Sequence, residues 1–315
     1  MIYDIYHKTE FKYGDSVSFS HNVARLKPKN TNYQRVIDFS MEISPEVFDT
    51  SEFVDMFGNT NTYMLIREPH QALSVVGKSK IEIFPNIIQD HIENIKKNSI
   101  SYESAIDRLS KFNIDDIYAK QYLFESDLIP NASIKIKEYI MESFGENRDV
   151  FEATQEFMER IFTDFKFVSG FSDITTPIEK IFEAKKGVCQ DFAQFAISAL
   201  RTIGLPAKYM SGYIETLPAK GEKKLFGVDA SHAWFAVYIP NAGWIEFDPT
   251  NNIIPKDQHI LLGSGKDYND ISPLKGVVYS SGNSNLSVMV DVRRSEEKNF
   301  PLQVQQQGQN QLLIN

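Results

Sequence analysis

Two periods of apolar residues divide the chain. Over the first 86 residues the period is two. The stretches "IYDIYHKTEFKY", "SVSFSHNVARLKP", "QRVIDFSMEISP", "EFVDMFGNTNTYMLI" and "ALSVVGKSKIEIF" alternate β-branched or aromatic residues with polar ones. Turn formers separate them at Gly14-Asp15, Pro28 to Asn32, Gly58-Asn59 and Pro69. Several short strands at this spacing predict an antiparallel, β-sandwich-like module. From about Ile87 to Phe167 the period becomes helical. In "DVFEATQEFMERIFTDF" the residues Phe151, Phe157, Ile161 and Phe162 form an apolar stripe over charged neighbours. "TTPIEKIFEA" predicts a helix with Thr175 or Thr176 as N-cap and Pro177 in its first turn.

The best-marked helix lies in "KKGVCQDFAQFAISALRTIGLPA". Phe192, Phe195, Ala196, Ala199, Leu200 and Ile203 make one continuous stripe. Gly204 supplies the left-handed C-terminal cap and Pro206 blocks continuation. The helix therefore begins close to Cys189. Period two returns in "PAKYMSGYIE", "SHAWFAVYIP" and "GWIEFDPT", and again in "NLSVMVDVRR". The glutamine-rich end, "QVQQQGQNQLLIN", predicts a frayed tail. These shifts predict three regions: a β module over 1–86, an α+β domain over 87–300 and a tail over 301–315.

Composition narrows the class only slightly. With 42% hydrophobic and 24% charged residues, the 315-residue chain is ordinary for a globular protein. A net charge of −9 argues against a nucleic-acid partner, since phosphate binding needs a basic face. The start, "MIYDIYHKTEFKYG", alternates and lacks an apolar secretory core, and no apolar run reaches the roughly 18 residues that span a bilayer. The single cysteine offers no internal disulfide. The expected setting is the cytoplasm, with no membrane contact.

The position of that cysteine suggests chemistry. A thiol at a helix N-terminus faces the positive end of the helix dipole and unpaired backbone N–H groups, and both favour thiolate. The same N–H groups suit an oxyanion. Gly187 leaves Cys189 uncovered. A lone cysteine is otherwise a small buried hydrophobe. Downstream, "DASHAWFAVYIPNAGWIEFDPTNN" reads as a β-hairpin with His232 at the start of one strand and Asp248 at the end of the next. A thiol nucleophile needs a base beside it and a group that fixes the imidazole. In an antiparallel pair, opposed residues share a face and their numbers add to a constant. His232 and Asp248 are both even, so they meet only if that constant is even. That requires an odd-length loop near Pro240 to Gly243, or one bulge. A constant of 482 sets Asp248 opposite Trp234 and diagonal to His232. Taken singly, His232 is also compatible with a hydrogen-bonded surface histidine, and Asp248 before Pro249 with the start of a turn.

These segments, "GVCQDFAQFAISALRTIGLPAKYMSGY" and "SHAWFAVYIPNAGWIEFDPT", with the order Cys, His, Asp, resemble the bacterial transglutaminase-like superfamily. The strand-rich first 86 residues resemble the module preceding that core in one bacterial branch, whose members are described as cysteine proteases. "HILLGSGKDYNDISPLKG" fits the same branch. The resemblance implies a papain-like α+β core in which helices pack on an antiparallel sheet, with 87–300 as the catalytic domain. It implies Cys189 as nucleophile, His232 as general base and acid, and Asp248 as orienting carboxylate. Two positions depart from the pattern. Papain relatives carry a glutamine donor six residues before the cysteine, where Glu183 stands here. Phe167 occupies a position where relatives offer a tyrosine.

Around these three residues, Gln190 and Asp191 are candidates for oxyanion or supporting roles; Asp191 suits the first helical turn as a structural carboxylate. Trp234 and Trp244 flank the hairpin and serve either packing or a substrate groove. The six histidines, at 7, 21, 70, 91, 232 and 259, show no close metal-ligand spacing, so no metal and no cofactor are expected. No acidic calcium loop and no phosphate-binding glycine loop occurs in the sequence. The expected activity is thiol-dependent acyl transfer at an amide bond of a peptide or protein substrate, through a thioester, with hydrolysis favoured. Protein cross-linking and a non-enzymatic scaffold are the alternatives. The oligomeric state is not legible in the sequence.

Overall fold

In the computed structural model, described over residues 1–216, 224, 226, 227, 229–278 and 283–295, the period-two stretches become strands: β1 (Ile2–Val17), β2 (Ser20–Ala24), β3 (Gln34–Ser44), β4 (Asp49–Val54), β5 (Thr60–Ile66) and β6 (His70–Ile83). Helices follow as α1 (Pro85–Asn98), α2 (Tyr102–Ser110), α3 (Ile117–Lys120), α4 (Ile134–Met141) and α5 (Val150–Asp164). The chain continues through β7 (Lys166–Phe167), α6 (Ile178–Ala184), β8 (Lys186–Gly187) and α7 (Cys189–Thr202). Its last part is β9 (Ala207–Ile214), β10 (Ser231–Ile239), β11 (Gly243–Phe247), β12 (His259–Gly265), α8 (Tyr268–Ile271), β13 (Leu274–Val278) and β14 (Ser284–Arg294). The glutamine-rich segment 301–315 lies outside the described residues. Among the described residues no helix is long and apolar enough to cross a membrane.

The result is an α+β fold with three four-stranded antiparallel sheets, ordered β14-β1-β6-β3, β13-β2-β5-β4 and β11-β10-β9-β12. The first two sheets face each other across a small core that includes Tyr13, Val17, Leu26, Met64, Ile66, Leu73 and Val75. Both recruit a strand from the far end of the chain. β14 pairs with β1 from Tyr3↔Arg294 to Tyr13↔Ser284, and β13 pairs with β2. Residues 274–278 and 284–294, which the sequence pattern groups with the region 87–300, therefore lie in the sheets built on the first 86 residues. A period-two pattern shows that a segment is a strand but not which distant strand it joins.

The main core is continuous across the chain. Tyr3, Ile5, Ile81, Ile83, Val290 and Val292 from the first sheet pack in the same cluster as Phe157 and Ile161 of α5, Phe192 and Phe195 of α7, and Phe235 and Val237 of β10. α7 lies on β10 and β9. Its stripe is buried as the spacing predicts, and Gly204 ends it with φ +89°. Two local expectations differ. Phe162 is 49% exposed, because α5 buries the face formed by Phe151, Thr154, Phe157, Met158 and Ile161. α6 begins at Ile178 with Pro177 at the N-cap rather than a threonine.

β12 is the edge of the third sheet, and two side-chain amides close that edge. Gln34 accepts from the Leu261 N–H at 2.8 Å and donates to the Leu261 carbonyl at 2.7 Å. Asn59 does the same at Ser264, accepting at 2.9 Å and donating at 2.8 Å. Each amide imitates one residue of a missing strand, so the edge presents fewer unpaired groups to another chain. Both residues come from the N-terminal strands and loops, which ties those sheets to β12. Gln34→Ala leaves the buried Leu261 N–H without a partner and takes one of two donors from its carbonyl, which keeps the Lys29 N–H; the cost is about 2 kcal/mol of stability. Urea denaturation is expected to show a lower midpoint with an unchanged slope.

Candidate active site

Cys189 is the first residue of α7, as its sequence predicts, and it is half-buried. The chain reaches it through the two-residue parallel pair β7–β8, in which Lys166 opposes Lys186 and Phe167 opposes Gly187. Asp191 organises the entry. Its Oδ2 accepts the Val188 N–H at 2.8 Å and the Ser172 hydroxyl. Burial raises the Asp191 carboxyl, and these two hydrogen bonds oppose that shift. The glycine before Val188 has a packing cause: a Cβ on Gly187 would lie 2.8 Å from both Cβ and Oδ2 of Asp191. Asp191 is thus a structural cap of the turn that presents Cys189.

The hairpin has the predicted register. Phe235 opposes Phe247, Ala236 opposes Glu246, and Ile239 opposes Gly243, so the pairs sum to 482. The connecting loop is the odd three residues Pro240 to Ala242. Diagonal placement lets the two side chains meet: His232 Nε2 lies 2.8 Å from Asp248 Oδ2. His232 is 7% exposed and Asp248 is fully buried.

Charge holds this pair together. Burial works against a charged imidazole, but hydrogen bonds to Asp248 and to Cys189, with the negative charge of both, outweigh it and push His232 up to about 10. With Nε2 committed to Asp248, the nitrogen left for the sulfur is Nδ1. Asp248 is the mirror case. Burial favours its neutral form, yet the hydrogen bonds from His232 and His259 hold it well below the usual carboxylate range. An ionised carboxylate is an acceptor only. Its Oδ1 takes the backbone N–H of Thr250 at 3.0 Å and of Asn251 at 3.3 Å. Its Oδ2 takes His232, the Asn251 amide at 2.7 Å and His259 Nε2 at 2.9 Å.

His259 and Asn251 are the residues that sequence reasoning missed. Asn251 lies in the quoted "DPTNN", and His259 opens "HILLGSGKDYNDISPLKG". His259 comes to Asp248 because β12 pairs with β9 and β9 with β10, with Leu261↔Gly212 and Gly212↔His232 in register. Gly212 keeps the middle strand low between them; a Cβ there would meet the Ile260 carbonyl at 2.0 Å and Trp234 at 2.8 Å. His232, Asp248 and His259 bring three possible metal-ligating atoms within 4.8 Å of one another, although their spacing in the chain shows no ligand pattern. The donor set fits a divalent ion poorly. Both Nε2 atoms carry the hydrogens they donate to Asp248. A metal-bound imidazole also passes its other N–H to a partner, and His259 Nδ1 is buried without one among the described residues.

The remaining candidates lie at differing distances from these three. Gln190 follows Cys189 on α7 and is half-buried. Trp234 is fully buried; its indole N–H donates to Glu246 Oε2 at 2.7 Å and its ring stacks on His232. Trp244 opposes Tyr238, six residues along β10 from His232, about 20 Å at strand rise. It packs edge-on against Tyr122 and under Lys208. Neither tryptophan lines a groove at Cys189: one lacks exposure and the other lacks proximity. Glu183 and Phe167 are not drawn into the site: Phe167 is exposed, and no hydrogen bond joins Glu183 to the three residues.

The comparisons with known proteins give the family and the fold. The profile described as Bacterial transglutaminase-like N-terminal region matches residues 3–82, and Transglutaminase-like superfamily matches residues 138–249, which include Cys189, His232 and Asp248. An uncharacterized protein of Mycobacterium tuberculosis is 33% identical over 295 residues, 92% of either chain. One of Mycobacterium leprae is 27% identical over 294 residues, covering 92% of this chain and 98% of its own. A protein-glutamine gamma-glutamyltransferase of Pseudomonas aeruginosa is 33% identical over 78 residues, 24% of this chain and 12% of its own. A crystal structure of a proposed cysteine protease from Cytophaga hutchinsonii has the same fold, with TM-score 0.71 at 19% identity over 98% of this chain and 95% of its own.

The charge arrangement predicts a measurable shift. Cys189→Ala removes one of the two groups that hold the imidazolium, so the His232 value falls below about 10 in a histidine NMR titration. The raised value also stabilises the fold. That contribution is complete below the ordinary 6.5 and is lost as pH rises through about 10. Alkaline unfolding therefore starts at lower pH in the Cys189→Ala protein than in the parent.

Proposed function

Because the chain belongs to the transglutaminase-like superfamily, we propose that Cys189, His232 and Asp248 catalyse acyl transfer at an amide bond through a thioester. The observation that carries the reading is the His232 imidazole held between the buried Asp248 carboxylate and the Cys189 side chain at the start of α7. The substrate is a peptide or protein amide: a backbone bond, a glutamine side chain or an isopeptide.

Cys189 attacks the carbonyl carbon as thiolate, and the carbonyl π pair moves onto oxygen. The N–H groups of the first turn of α7, which have no intrahelical acceptor, receive that oxyanion. His232 gives its proton to the departing nitrogen; the C–N bond breaks and an amine leaves. A water then attacks the thioester and passes a proton to His232, and the sulfur leaves as thiolate with an imidazolium beside it. Asp248 keeps the proton-bearing Nε2 fixed throughout, so Nδ1 is the nitrogen that exchanges protons. Water as acceptor makes the enzyme a hydrolase, which is the favoured reading. An amine acceptor makes it a cross-linker, the activity named for the locally similar Pseudomonas protein. The lone thiol has no disulfide partner within the chain, and we assign the reaction to the reducing cytoplasm.

Incubation with peptide libraries, with and without a primary amine, followed by mass spectrometry, tests the proposal. An acyl adduct on Cys189 that resolves to free acid is the expected product; transamidated product in place of acid shifts the reading to cross-linking. Absence of any adduct across the libraries, with the protein folded, overturns the acyl-transfer reading. Asp248→Asn is expected to lower turnover about ten-thousandfold, by analogy with the same change in serine triads.

A further inference from the structure

We propose that His259 is a positioning residue of the site: a second imidazole that donates to the Asp248 carboxylate and fixes the orientation in which it holds His232. The inference rests on the acyl-transfer reading and adds a group to its machinery. Asp248 Oδ2 lies 2.8 Å from His232 Nε2 and 2.9 Å from His259 Nε2. Since the carboxylate only accepts, both nitrogens bear hydrogen. A carboxylate beyond the end of β11 has a free torsion about its Cα–Cβ and Cβ–Cγ bonds. The backbone N–H groups of Thr250 and Asn251 hold Oδ1, and the Asn251 amide holds Oδ2 at 2.7 Å, but all three come from the turn that carries Asp248 and move with it, so they leave its orientation toward the sheet open. His259 arrives from β12, on the other side of β9 from His232, and closes it. The two imidazoles approach one oxygen from different strands; their ring centroids are 5.8 Å apart with planes at 55°.

A solely space-filling residue at this position does not need a polar edge. His259 is 4% exposed, and its ring lies edge-on to Trp234 at 5.2 Å, a contact that a phenylalanine would also make. Its imidazole instead keeps one buried nitrogen, Nδ1, with no partner among the described residues. Nδ1 therefore gains nothing from a polar ring, and the Nε2 donation to Asp248 is the contact that calls for an imidazole here. A cavity of about 30 Å³ also borders His259. The titratable groups around the ring are Asp248, His232 and, across the cavity, Tyr33, His91, Glu246 and Lys256.

The test uses the whole chain and iodoacetamide alkylation of Cys189 across pH, with ring-nitrogen NMR on the unaltered protein. His259→Phe keeps the ring packing and removes the donor; alkylation near neutral pH is expected to slow about tenfold, the scale seen when an outer partner of a functional side chain is lost. His259→Gln restores an N–H near the Nε2 position and is expected to recover most of the rate. Equal rates for the folded Phe variant and the parent, whatever the loss in Tm, overturn the inference. So does a bare Nε2 on His259 in the NMR spectrum, whereas a protonated Nε2 supports it. His232→Ala separates the two levels of the argument. If it leaves the alkylation profile unchanged, the acyl-transfer reading itself fails. If it slows alkylation while His259→Phe does not, only the role of His259 fails.

Discussion

A fully buried, ionised carboxylate is the constraint from which the rest of the site follows. Asp248 has no exposure, and an unpaired buried charge costs several kcal/mol. Five donors meet it: two backbone N–H groups, one side-chain amide and two imidazoles. That satisfaction is what makes a charged His232 compatible with burial beside Cys189. Remove the carboxylate and the imidazole has no reason to stay protonated on Nε2; remove the imidazole and the helix start holds only a half-buried thiol.

The three elements that deliver these groups are held by different physics. Cys189 depends on a local turn, in which Gly187 makes room for Asp191 and Asp191 holds the Val188 N–H. His232 and Asp248 depend on hairpin register, a matter of loop length. His259 depends on the pairing of β12 with β9, two strands far apart in the chain that meet at His259↔Ile214 only in the folded sheet. These levels differ in how far they can be read from residues alone. The helix start and its glycine cap are written in adjacent positions. The even sum of 482 is an arithmetic consequence of three loop residues. Strand pairing over long separation leaves no local pattern, so the role of His259 and the partners of the returning strands β13 and β14 are invisible to periodicity. The tryptophans show a related limit: period two assigns a face to Trp234, but depth is set by what covers that face, and here Glu246 and His259 cover it.

What covers it also includes the N-terminal part of the chain, and this bears on why a β module precedes the core at all. Glu246 accepts the Trp234 indole N–H on one oxygen and the Tyr33 hydroxyl on the other. Trp234 stacks on His232 and lies edge-on to His259. One residue away, Gln34 closes the edge of the strand that carries His259. Tyr33 and Gln34 thus back the imidazoles on both sides of Asp248 through one intervening residue or strand. A module that only tethered a partner would have no cause to place a phenol and an amide behind the imidazoles that flank Asp248. Here the backing layer is shared: Glu246 of β11 takes the indole N–H, and the N-terminal segment supplies the Tyr33 hydroxyl to its other oxygen. The site is thus assembled from distant parts of the chain, and the placing of His232 and His259 around Asp248 is backed by residues far upstream of all three.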